Sequence, residues 1–492
     1  MNLFPKSENN HLNQIIMEVV TLLIILFITI WSVQPLLEEW QTLHVFNLYG
    51  LEYFYSNSLG IAMRPLHLTA YVIQWLLGGG MPYGVTIGVS LTIVLRYFAL
   101  SWAIAPLNIG PYRWVLATLA AILVGWTGTW LGRFMPATLA SVFFFLALGF
   151  SIRLAQKWSI FYASGCVLSV AFILLSYQGL ALCLIVIPVM PLIWSEKGSI
   201  ENKEKIKQAL RMAYPIALTF IIYGIYWILM SENGPEGYDA TLANDGARLL
   251  SIEGLAQHIK SAYVTAYSEN STLLPFLILI AFSILRLTCI ENVTKKEKNK
   301  QKIIILMIIA LLPLLSLIYV NQLHIHDIER VLYPVSIGFV LACIFIVKKN
   351  HSGTINYNIL YGNFAIIVIC IVLSGFIQAY KVKQFANVEN EVIRQSLKQL
   401  KIHNAKRIII KDTTGTLGDV YTFLPPILSD ALAVYGENVQ AIICTPLSVD
   451  RNHPIANRFP IESTPRCEEL LKSSENTLEL TAYSIDGNLV LK

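Results

Sequence analysis

The sequence is poor in charge. Asp, Glu, Lys and Arg make up 14% of its 492 residues against 55% apolar ones, which excludes a soluble multidomain protein. Its seven cysteines show no metal-ligand spacing. No internal repeat and no long low-complexity tract is present. The net charge of +5 traces to basic loops between apolar runs, so no nucleic-acid-binding patch is expected. The first apolar run, 15–33, is longer than a signal-peptide core and has no small-residue cleavage site behind it. It predicts a retained transmembrane helix.

Hydrophobic runs are what the chain has instead. A helix needs roughly 20 apolar residues to cross a bilayer core. On that template further spans fall near 61–79, 83–105, 114–131, 134–152, 159–176, 178–194, 212–230, 273–290, 303–320, 331–347 and 358–379. The expected fold is a polytopic α-helical membrane protein with about 11 to 13 transmembrane helices.

Lys and Arg favour the cytoplasmic side of short loops. Lys197, Lys203, Lys205, Lys207 and Arg211 mark one such loop, and Lys295, Lys296, Lys298, Lys300 and Lys302 a second. Between them 231–272 is acidic and belongs outside, and Lys348-Lys349 returns inside, so the C-terminal residues end outside. The front half breaks this alternation. With the N-terminus inside and the 34–60 loop outside, six candidate spans lie between that loop and the Lys197 loop, where an odd number is required. One is then re-entrant or interfacial, either 61–79, which opens on Arg64-Pro65 and holds His67 and Gln74, or one of the pair broken at Gly132-Arg133-Phe134-Met135-Pro136.

Composition changes near residue 381, which divides the chain into a multi-span membrane domain, 1–380, and a small extracytoplasmic α/β domain, 381–492. In the latter, 387–400 reads as a charged helix, 407–411 and 439–444 as strands, and 478–484 with 488–491 as a hairpin around Asp486-Gly487. Five cysteines, Cys166, Cys183, Cys289, Cys343 and Cys370, fall in or beside apolar runs as small hydrophobes. Cys444 and Cys467 lie in the tail and can either pair in an oxidising compartment or stay free.

The chemistry concentrates just past the first span, at Glu38-Glu39-Trp40. A carboxylate at the membrane surface can serve as general base toward a hydroxyl, its pKa raised by partial burial and by its neighbour, whereas adjacent acids in a loop are also ordinary solvated surface. Arg64 and Arg133 sit at apolar boundaries, and Arg330 ends the short 321–330 loop. Each can grip an anion bidentately or simply anchor a helix end at the headgroups. Arg96 lies well inside an apolar run, where a charge is expensive and is usually paired or functional. His324, His326, Asp327 and Glu329 lack the spacing of a metal site, and no required metal or cofactor is expected. The 413–418 stretch lacks the Lys of a phosphate loop and reads as a turn, and 249–267 as an amphipathic helix on the membrane surface.

An acidic pair and Trp after the first helix, followed by Arg64-Pro65-Leu66 at the next apolar segment, resembles the lipid-linked-sugar glycosyltransferases of the GT-C superfamily, with Glu-Glu in place of their commoner Asp-Asp. Ser176-Tyr177-Gln178 at a helix junction resembles the Tyr-Gln element of the bacterial GtrII-like glucosyltransferases, the O-antigen-modifying enzymes of serotype conversion. The resemblance implies a multi-pass protein of the bacterial inner membrane with its active site and C-terminal domain toward the periplasm. The implied donor is undecaprenyl-phosphate-glucose and the implied acceptor a lipid-linked O-antigen or similar glycan, joined with inversion. On that reading Glu39, and next Glu38, is the base. Arg330, then Arg64 and Arg133, hold the donor phosphate, and Trp40, His67, Tyr177, Gln178 and His326 contact sugar or acceptor. The rival readings are a flippase for the same lipid-linked sugar, and an O-antigen polymerase or ligase. The external position of the acidic pair and the absence of repeat symmetry weigh against a transporter.

Overall fold

A computed structural model describes residues 6–58, 64–194, 202–231, 328–350, 357–415, 417, 426–449, 465–470, 476–485 and 488–492, with 251, 253, 254, 256, 257, 260 and 261 between them. The spans expected at 273–290 and 303–320, His326, and most of 249–267 lie outside the described residues.

The described residues of the membrane part are mainly helical. α1 (Lys6–Ser32) leads through residues 33–37 into α2 (Glu38–Tyr49) and α3 (Leu51–Ser58). After a turn come α4 (Thr69–Gly78), α5 (Tyr83–Ile104), α6 (Tyr112–Leu123), α7 (Met135–Gln156) and α8 (Ile160–Ser176). α9 (Val186–Trp194), α10 (Asn202–Ser231), α11 (Ile328–Asn350) and α12 (Tyr357–His403) follow. Among the described residues five helices are long and apolar enough to span a bilayer: Ile15–Ser32, Tyr83–Leu107, Gly132–Gln156, Lys203–Met230 and Phe364–His403. Pro136 stands in the first turn of α7, where its missing N–H costs no helical bond. The apolar window of α7 is 83% buried against 28% for α1 and 22% for α10, so of these three helices α7 lies deepest in the packed interior.

Three expected spans come out differently. Among the described residues of 61–79, 64 onward, only α4, ten residues long, is helical, which is too short to cross. In 114–131 the helix stops at Leu123, because Gly125 takes φ 97° and a 3-10 segment, Trp126–Trp130, replaces the next turns. In 178–194 two 3-10 turns precede the nine-residue α9, so no single apolar helix is long enough.

The tail builds a four-stranded sheet, ordered β2-β1-β3-β4. β1 (Arg407–Asp412) runs parallel to β2 (Gln440–Cys444) and to β3 (Thr477–Ile485), which turns back into β4 (Asn488–Leu491). α13 (Ile427–Val434) lies between β1 and β2 in the chain. A disulfide joins Cys444 to Cys467. Asp412 accepts hydrogen bonds from Thr414 N and Oγ1 and from Leu417 N, which closes the turn after β1.

α12 is 47 residues long and runs without a break across position 380, from apolar span into charged extension. Gln395 on that extension bonds the Leu489 carbonyl and accepts from Leu491 N, fixing β4 to the helix. On the other side α13 and its C-terminal residue pack on α2, through Trp40 against Tyr435 (5.9 Å between ring centroids) and His44 Nε2 facing Asp430 (3.8 Å). The sheet domain is thus seated directly on the helix that begins with the acidic pair.

Candidate active site

Residues 33–37 form no helix, and distant side chains hold three of their polar groups: Thr86 Oγ1 donates to Val33 O, Leu37 N to Glu389 and Asn390 Nδ2 to Gln34 Oε1. Leu37 takes φ 57°, ψ −129°, a conformation that reverses the chain and that a leucine adopts only when its surroundings impose it. Immediately after it Glu38 and Glu39 occupy the first turn of α2, where the helix dipole favours acids.

Neighbours on a helix point about 100° apart, so the two carboxylates part company. Glu39 is 1% exposed. Its Oε2 accepts from Leu36 N (3.0 Å) and its Oε1 from Arg133 N, which ties α2 to the start of α7. Gly132 makes room for it, since a Cβ there would stand 3.0 Å from Glu39 Oε1 and collide with Val85. Burial pushes the Glu39 carboxyl up to about 8, against the two N–H donors and the Arg133 charge, which favour the anion. Glu38 points the other way, its side chain 52% exposed and its Oε2 3.6 Å from the Arg133 guanidinium.

The 132–133 backbone is a hub. Tyr71 donates to the Arg133 carbonyl (3.0 Å) and Gln74 Nε2 to the Gly132 carbonyl (2.9 Å), so the short α4 braces it from one side. Just before α4, Leu66 N donates to Leu175 O, and His67 Nδ1 lies 3.2 Å from Ser176 O. A carbonyl only accepts, so Nδ1 carries the proton and Nε2 keeps its lone pair. Burial, with the Arg64 charge next and that of Arg330 also contributing, pushes His67 down to about 3 and keeps the ring neutral at any physiological pH.

From the other side comes the end of α8. Tyr177, extended at φ −155°, leaves the helix and packs its ring on Phe134 (6.0 Å) and Tyr333 (5.7 Å). Tyr333 is fully buried, donates to the Ala137 carbonyl, and lies three residues after Arg330 on α11. Gln178 donates to the Tyr223 hydroxyl of α10.

Of the residues singled out by sequence, Glu38, Glu39, Arg64, His67, Arg133, Tyr177, Gln178 and Arg330 therefore gather around the junction of α2, α4, α7, α8 and α11. Arg64, Arg133 and Arg330 bring three cations to it, and Arg330 acts on both His67 and Tyr71.

Two residues stand apart. Trp40 is 0% exposed and packed toward Tyr435, so it fastens α2 to the sheet domain and offers no face to a sugar. Arg96 is equally buried, with Nη1 on Val124 O (2.5 Å) and Nη2 on Ala121 O (2.6 Å) and Thr129 Oγ1 (3.3 Å). It caps the end of α6 and the 3-10 segment after it, which explains a charge inside an apolar run. Tyr71, Gly132, Tyr333 and Glu389 went unread in the sequence. Tyr333 carried a signal in its i, i+3 spacing from Arg330, and Glu389 carried none, being one acid in a charged helix.

No protein-family model and no curated protein matches this sequence. Among solved structures it is similar to the crystal structure of ArnT from Cupriavidus metallidurans in the apo state, over 97% of this chain and 94% of that one, at 12% sequence identity and a TM-score of 0.39, a likeness too distant to carry an argument.

Proposed function

We propose that the chain is a membrane glycosyltransferase, one that moves a glucosyl residue from undecaprenyl-phosphate-glucose to a hydroxyl of a lipid-linked glycan such as O-antigen, with inversion, at the periplasmic face of the bacterial inner membrane. The observation that carries this reading is the gathering, from four separate chain segments, of an exposed carboxylate, three arginines and a neutral histidine around the 132–133 hub. The Glu-Glu-Trp and Tyr-Gln resemblances add the donor class. The disulfide in the sheet domain supports an oxidising compartment on that side.

In this reaction the acceptor oxygen attacks C1 of the sugar, the bond from C1 to the donor phosphate oxygen breaks, and the acceptor proton passes to a base. Glu38 is that base. It is the open member of the pair, whereas Glu39 has both oxygens engaged by backbone donors and, with its pKa raised to about 8, is largely protonated at neutral pH. Glu39 holds the junction in shape. Arg133, Arg64 and Arg330 stabilise the phosphate as it takes up charge. His67, with its free Nε2, accepts a hydrogen bond from a sugar hydroxyl, and Tyr177 and Gln178 line the same junction.

The test is transfer of radiolabelled sugar from undecaprenyl-phosphate-glucose to lipid-linked glycan in membranes containing the wild type, Glu38→Gln or Glu39→Gln. Loss of about 100-fold to 10,000-fold in Glu38→Gln with normal insertion is expected. Label that crosses leaflets without entering glycan would make the protein a transporter, and undiminished transfer by Glu38→Gln would remove Glu38 from the mechanism.

A further inference from the structure

We propose that Glu389, on the extramembrane extension of α12, is the positioning residue that sets the rotation of α2, and with it which carboxylate of the acidic pair faces the open junction. The inference rests on the reading of Glu38 and Glu39 given above.

Backbone bonds hold the linker 33–37 only at its margins, Val33 N on Thr29 O and the Leu36 and Leu37 carbonyls on Glu39 N and Trp40 N, and the N–H groups of Leu36 and Leu37 go to side chains. Leu36 N donates to Glu39 within the same turn, but Leu37 N donates to Glu389 Oε2 (3.2 Å), 352 residues away in the chain. One residue on, Asn390 Nδ2 donates to Gln34 Oε1 (2.6 Å). Two consecutive side chains of α12 thus grip the linker at both ends. Glu389 is fully buried, and its other oxygen has only the Trp40 indole beside it. The Trp40 indole lies beside the same carboxyl, with its N–H also buried and outside strict hydrogen-bond geometry. A buried carboxyl spent on one loop N–H is a costly arrangement unless that N–H must stay where it is.

The residue it holds is the one with φ 57°. Leu37 fixes the angle at which α2 starts, and successive side chains on a helix differ by about 100°. Exchanging Glu38 and Glu39 takes a rotation of about 100°, which is open only if Leu37 leaves φ 57° for an ordinary negative φ and Glu39 gives up its two backbone donors. The groups Glu389 faces are Glu39 and Glu38 on α2 and Trp40 between them and the sheet domain, so the extension of α12 reads the whole acidic turn. In this arrangement the sheet domain, fixed to the same extension through Gln395 and to α2 through α13, is a brace for the active-site helix.

Hydrogen–deuterium exchange on the full chain in lipid nanodiscs tests this directly. In Glu389→Ala the Leu37 amide exchanges about tenfold faster or more, while β1 keeps its protection. Glu389→Gln, which retains the acceptor oxygen, stays near the wild type, and so does Glu391→Ala, whose side chain pairs with Arg394 instead. Transfer by Glu389→Ala falls at least tenfold in kcat with KM unchanged, and Glu389→Gln restores it. Unchanged Leu37 exchange in Glu389→Ala, or a Gln variant as impaired as Ala, overturns the proposal. Should Glu389→Ala fail to fold, slow exchange at Leu37 in the wild type supports the assignment, because no helix protects that amide, and fast exchange defeats it. A wild type that transfers no sugar refutes the reaction and leaves the exchange result to decide the positioning role.

Discussion

Arg96 and Glu39 are both ionisable side chains with almost no exposure, 0% and 1%, and both spend their polar atoms on backbone groups. Arg96 donates to the carbonyls left over at the end of α6, with Trp130 and Tyr97 likewise buried, and its described partners, Val124, Ala121 and Thr129, are all interior. Glu39 accepts the N–H groups of a linker and a loop, and beside it Glu38 and Arg133 reach solvent, with side chains 52% and 32% exposed. A buried charge is therefore no sign of chemistry in itself. What separates the two is an open face next to the buried group, which turns a strut into the back wall of a site.

That contrast can be broken most forcefully at Arg96. In Arg96→Met the Ala121 carbonyl loses the guanidinium and the Val124 carbonyl keeps only Thr129 Oγ1, and a loss of roughly 3 kcal/mol of stability is expected, read as thermal unfolding in detergent. Full stability in that variant would mean that the break after α6 holds without the guanidinium.

The same contrast is sharpened by pH. The Glu39 carboxyl rises from an ordinary 4.5 to about 8, so the folded state keeps a proton that the unfolded chain gives up. Its contribution is complete below pH 4.5 and is lost as pH climbs through about 8, with a slope of at most about 1.4 kcal/mol per pH unit. Arg133 opposes the rise and Glu38 supports it. The wild type should lose thermal stability relative to Glu39→Gln across that window. Parallel curves would show that burial does not dominate there.

The smallest effect is expected where charges are neither buried nor beside a site. Lys411 and Glu479 pair across β1 and β3 at 2.8 Å, but both side chains are about a third exposed. Lys411→Met should shift stability by less than about 0.5 kcal/mol, measured by the same unfolding assay, and a larger loss would mark this pair as more than surface.

Much of the fold could be read in the sequence because its causes are local. The spans 83–105, 134–152 and 212–230 correspond to α5, α7 and α10, since a run of apolar residues of the right length has few alternatives in a bilayer, while 159–176 corresponds to α8, a shorter apolar helix of 17 residues. The strands at 407–411 and 439–444 and the closing hairpin follow from β-branched runs and a Gly turn. The misreadings were also local in origin. Gly125 and Gly128 mark the break in 114–131, and the lack of Gly or Pro from 376 to 403 allows α12 to run on as one helix through a change of composition.

The site was legible only as a set of residue types. Sequence alone determined that an acidic pair follows the first span, that arginines stand at apolar boundaries, and that a Tyr-Gln pair ends a helix, because each is a property of neighbouring residues. Which carboxylate is buried and which is open was decided by tertiary structure. The groups that settle it, Arg133 N on Glu39 and Glu389 on Leu37, come from 94 and 352 residues along the chain, and no local pattern encodes a contact at that distance.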